Sequence, residues 1–126
     1  MIYTKRSART PEDIDGRLRQ AAQNHKFRVL NVQDLRGTLK GKGIELGADC
    51  RVYDVCNPQA ALQALQTNMG ISTVLPCRIS VYTDEQGTAI ATLMPSAMLG
   101  ATGLAGVEQL AKDVEREIVA IIDEAA

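Results

Sequence analysis

Aromatic side chains are scarce in this 126-residue sequence, which has no tryptophan, one phenylalanine and three tyrosines. Readers of single-stranded nucleic acid stack bases on aromatic rings, and that platform is missing. Charge of one sign is missing too: 14 basic residues stand against 15 acidic ones, for a net charge of -1. No field is therefore available to gather nucleic acid or an anionic membrane surface. The apolar runs fall far short of a bilayer span. Histidine occurs once and cysteine three times, with no Cys-x-x-Cys knuckle. That composition argues against both a zinc site and a disulfide framework. Met1 to Arg9 carries basic residues but no apolar stretch of the signal-peptide kind. The expectation is a reduced, cytoplasmic protein, one domain over 1–126, with no cofactor, no nucleic acid and no membrane partner.

What is present is an ordinary globular composition, 45% hydrophobic and 23% charged, in a chain long enough to bury a core without staples. Ile2 to Arg6 reads as a short strand. Thr10, Pro11, Glu12 and Asp13 then open a helix by capping its free N–H groups and complementing its dipole. Ile14, Leu18, Ala21 and Ala22 recur on one face of that helix. His25 falls at its end, where interaction with the last carbonyls is expected rather than service as a base. Phe27 to Val32 suits a second strand, antiparallel to the first or beside it. Asp34 caps a short helix over Leu35 to Lys42, closed by Gly43. The glycines and cations of that segment lack the spacing of a phosphate loop.

A strand over Cys50 to Cys56 follows, with Cys50, Val52, Asp54 and Cys56 on one face and Arg51, Tyr53 and Val55 on the other. Asn57 caps and Pro58 opens a helix that Gly70 stops, its buried side expected at Ala61, Leu62, Ala64, Leu65 and Met69. After Pro76 comes a strand over Cys77 to Thr83, and Asp84 to Gly87 turns it into a partner strand, Thr88 to Met94, ended by Pro95. Small residues from Ser96 to Gly106 suggest a loop or flexible lid. A final helix from about Leu104 to Asp123 carries Val107, Leu110, Ala111, Val114, Ile118, Ile121 and Ile122 as one stripe.

This order predicts an α+β fold: an antiparallel sheet of about five strands with helices on one face, β-α-β-β-β-β-α, and a short helix before and after the third strand. A parallel β-α-β arrangement around Pro58 to Met69 is the competitor. The difference decides the cysteines. Antiparallel neighbours bring Cys56 and Cys77 to one end of the sheet, whereas parallel strands separate them by about 20 Å.

Cys56-Asn57-Pro58, Leu75-Pro76-Cys77-Arg78 with Ile79 to Tyr82, the hairpin at Asp84 to Gly87, and Gly43-Ile44-Glu45-Leu46 together resemble the domain-of-unknown-function 302 family, from about Thr4 to Ile122. The resemblance implies a curved antiparallel sheet like that of the TATA-binding-protein superfamily, with helices on one side, commonly in a homodimer. It implies no activity. Two departures stand out: Lys26 occupies a position where such proteins often have glycine, and Gly100 to Gly106 matches no pattern.

Three functional classes follow. The first is a non-enzymatic homodimeric binding module in which Cys56 and Cys77 are packed as small apolar residues. The second is thiol chemistry, with Cys56, Cys77, Asn57 and Arg78 binding a small ligand, sulfur or a soft metal; the helix at Pro58 and the charge of Arg78 are expected to lower the thiol pKa values. The third is a Cys/His enzyme, which requires His25 to reach a thiol. No catalytic residue and no metal ligand is assigned from the sequence.

Overall fold

The computed structural model describes all residues from 1 to 126. Its elements are β1 (Ile2–Ser7), α1 (Pro11–Asn24), β2 (Arg28–Asp34), α2 (Leu35–Lys40), β3 (Cys50–Cys56), α3 (Pro58–Thr67), a 3-10 segment (Met69–Val74), β4 (Cys77–Asp84), β5 (Gly87–Leu93), α4 (Pro95–Thr102) and α5 (Glu108–Ala125). The strands form one sheet in the order β1-β5-β4-β3-β2, antiparallel throughout. The parallel alternative is thereby removed. β1 and β2 are not neighbours as expected but occupy opposite edges, because β1 pairs with β5, Ile2 opposite Leu93.

The pleat sorts the side chains. Tyr53, Val55, Ile79, Val81 and Ile90 alternate onto one face and are fully buried there beneath Ile14 and Leu18 of α1 and Ile118, Ile121 and Ile122 of α5. Each such side chain contributes roughly 1.5–3 kcal/mol by leaving water, so this layer dominates the stability. The other face of the sheet carries no helix.

α1 begins as its sequence dictates, with Thr10 Oγ1 accepting from Asp13 N at 3.1 Å and Pro11 in the first turn. It ends in a paired bond motif: Lys26 N–H donates to Gln23 O at 3.1 Å and Phe27 N–H to Ala22 O at 2.8 Å. Closing a helix this way needs a left-handed residue, and Lys26 takes it with φ 62. That conformation favours glycine, so Lys26 holds it at a cost in backbone strain.

Several boundaries move. The segment read as a lid is in part the helix α4, whose first turn is capped from outside: the Glu115 carboxylate on α5 accepts from Ser96 N at 3.1 Å and Ser96 Oγ at 2.6 Å. α5 starts at Glu108 rather than Leu104 and α2 ends at Lys40 rather than Lys42. α3 stops at Thr67, and within the expected buried side Leu62 and Met69 are exposed. Met69 belongs to the 3-10 segment beyond the helix, so helical spacing does not apply to it.

Candidate functional site

α5 packs on two different things. Ile118, Ile121, Ile122 and Ala125 enter the main core, whereas Leu110 and Ala111, with Val107 just ahead of the helix, join a second apolar cluster built on Ala64, Ile71 and Leu99. The two clusters meet at the end of the sheet where β3 stops and β4 starts. There they leave a cavity of about 80 Å³, lined by 18 residues of which 16 are hydrophobic. So apolar a wall offers a buried water no set of partners, and the space suits an apolar group.

Cys56 and Cys77 both line this cavity, as does Asn57. The antiparallel register places Val55 opposite Cys77, so Cys56 sits one residue beyond, at the adjoining strand end. Pleat alternation alone assigns Cys77 to the core face with Val55 and Cys56 to the other. The termination of β3 at Cys56 brings its residue into the cavity wall nonetheless. Cys77 is buried and Cys56 partly so, and all three cysteines are free. Cys50, at the far end of β3, is not part of the wall.

The expected activation of the thiols is overturned. Burial pushes the Cys77 thiol up to about 11, with the Cys56 thiol reinforcing the shift, and burial raises Cys56 as well. Arg78 does not offset this, because it projects to the opposite face, with its side chain 68% exposed. There its Nε stands 3.4 Å from Asp54 Oδ1, opposite it in the register. That separation gives ionic attraction without hydrogen-bond geometry, and Asp54 Oδ1 has no hydrogen-bond partner. Nor do the first N–H groups of α3 reach a thiol: Asn57 Oδ1 accepts from Gln59 N and Ala60 N, both at 3.1 Å. Asn57 is therefore a cap and a wall residue, and Arg78 is not part of the cavity.

His25 is engaged elsewhere. Its ring does not meet the last carbonyls of α1; Nδ1 bonds Glu117 Oε2 and Nε2 bonds Glu124 Oε1, each at 2.5 Å, two turns apart on α5. The Glu124 bond foremost, against desolvation and with Glu117 assisting, raises its pKa above 6.5. Both ring nitrogens are occupied, which removes the base that a Cys/His enzyme requires. No group of three or more His, Cys, Asp or Glu side chains is arranged to hold a metal ion.

Phe27, Leu75, Pro95, Met98 and Leu99 also line the cavity and were not assigned to a site from sequence. The one available signal was the stripe of α5, whose first half, Val107 to Val114, continues past the length of sheet that can cover it.

A second concavity adjoins the first. Phe27 and Asn57 form a wall common to both, and beyond it an open groove is lined by Arg19, Lys26 and Arg28 with no carboxylate among its residues.

The family model "Domain of unknown function DUF302" matches residues 3–125. Among solved structures, an uncharacterized conserved DUF302 protein from Bacillus stearothermophilus is similar over 99% of this chain and 98% of its own, with 26% identity and a TM-score of 0.95. No curated protein matches. No helix is long and apolar enough to cross a membrane.

Proposed function

This chain belongs to the DUF302 family, and from that premise we propose that it is a non-enzymatic binding module taking a small apolar ligand into the cavity beside Cys56 and Cys77. The observation that carries this reading is the cavity wall, in which 16 of 18 residues are hydrophobic. Pockets of this kind bind by matching apolar surface with few polar groups. The two thiols act there as neutral, polarizable surface, since burial holds them protonated at neutral pH. Sulfur transfer or soft-metal binding needs thiolates, and this environment opposes their formation.

In the same reading the protein is a cytoplasmic homodimer with a sheet akin to that of the TATA-binding-protein superfamily. Supporting this are the helix-free sheet face and the absence of any disulfide. Sedimentation of the purified protein tests the dimer, and a monomer at micromolar concentration rejects it.

Pressurised xenon tests the cavity, because it fills apolar voids without hydrogen bonding. The expected result is methyl NMR shifts confined to Ala64, Leu99 and Val107. Shifts spread over the surface, or none, reject the reading. Alkylation by iodoacetamide at pH 7 checks the thiols: Cys77 is expected to stay unmodified until the protein unfolds.

A further inference from the structure

The cavity and the cationic groove share Phe27 and Asn57 as a common wall, and we propose that together they form one amphipathic site for a short-chain aliphatic carboxylate, tail in the cavity and head in the groove. This rests on the apolar-ligand reading above and names the class of ligand.

The tail end follows from volume. At about 80 Å³ the cavity takes the end of an alkyl chain, the remaining carbons lying along its mouth toward the groove. The head end follows from charge. Arg19 is already committed to Asp15, Nε to Oδ2 at 3.0 Å. Lys26 and Arg28 enter no ion pair and no side-chain hydrogen bond, and both are exposed.

Arg28 is opposite Cys56 in the β2–β3 register. A cation thus stands beside a residue of the cavity wall. Lys26 is held next to Phe27 by the left-handed turn that ends α1. No carboxylate lines the groove to neutralise either. The first N–H groups of α3 are already taken by Asn57, so the site offers two side-chain cations and no helix-end donors. That set matches a carboxylate head, with charge-assisted hydrogen bonds from Arg28 and Lys26.

Calorimetric titration with hexanoate, 1-hexanol and acetate separates the two halves. Hexanoate is expected to bind about tenfold more tightly than hexanol at low salt, the surplus belonging to charge-assisted bonds. The gap should close in molar salt, and acetate, which has no tail, should not bind measurably. The double substitution Lys26→Gln with Arg28→Gln, at two exposed positions, should bring hexanoate down to hexanol and leave hexanol unchanged.

Equal binding of hexanol and hexanoate by the native protein overturns this inference while the apolar cavity stands. A loss of both ligands in the double variant overturns it too, because the cations would then be supporting the fold. Failure of hexanol, hexanoate and xenon alike rejects the cavity reading itself.

Discussion

Strand β3 has two unlike ends. At its start the carboxylate of Asp49, 7% exposed, accepts from Arg51 at 3.0 and 3.1 Å and from Arg36 at 3.3 Å. Arg51 also reaches Glu12 on α1 at 2.8 Å, and Asp49 exchanges bonds with Thr83 through N–H to Oγ1 and through its carbonyl, both at 3.0 Å. Nearby, Tyr53 OH donates to Asp15 at 2.6 Å. Burial raises the Tyr53 pKa first, with Asp15 adding to it, while Asp49 holds Arg51 charged. At its finish, seven residues on, the strand reaches Cys56 and a void lined by apolar side chains. One end is pinned by a side-chain network of directional bonds, and the other, beyond the Asn57 cap, opens on dispersion contacts. The first geometry has a single solution, whereas the second tolerates a guest.

The sharpest way to break the contrast is Asp49→Ala, which leaves Arg51, 20% exposed, without its main partner. A loss of about 3 kcal/mol is expected in urea unfolding, since removing one member of a buried pair strands the other. A loss under ~0.5 kcal/mol would put Asp49 on a par with a surface pair.

Ala64→Leu addresses the other end by growing a side chain into the void. Stability should change by only about 1 kcal/mol in either direction, as gained contacts offset local crowding. Xenon and hexanol binding should disappear, and retention of either would place the ligand elsewhere.

The smallest effect concerns the helix layer that covers both ends. Because the folded pKa of His25 lies above 6.5, its pairing with Glu117 and Glu124 contributes fully below about pH 6.5 and is lost as pH rises through the folded value. Both glutamates are nearly half exposed, so solvent screening keeps the contribution under ~1 kcal/mol. His25→Gln should lower Tm at pH 6 and leave it nearly unchanged at pH 9. A uniform loss would indicate packing instead of charge.

Local chemistry made much of this fold legible. Thr10-Pro11, Asn57-Pro58, the Asp84–Gly87 hairpin and the α5 stripe each carry their cause within a few residues, and each stands where expected. The failures were of another kind. α4 is short, contains Gly100 and has no side-chain cap of its own; Glu115, nineteen positions from Ser96, supplies it. His25 found carboxylates 92 and 99 positions away. Cys56 and Cys77 were recognisable as neighbours once strand direction was assumed. Their protonation was not, because it depends on α3, α4 and α5 closing over them.

The pairing of β1 with β5 has a consequence for synthesis. Ile2 meets Leu93, so the first strand leaves the ribosome long before its only partner exists. Ile118, Ile121 and Ile122, which seal the main core, emerge later still. A nascent chain of a hundred residues already holds all five strands yet lacks the lid of its core, and its apolar sheet face is open to chaperones or to another nascent chain. Until α5 has emerged, the face that Ile118, Ile121 and Ile122 seal has only α1 to cover it.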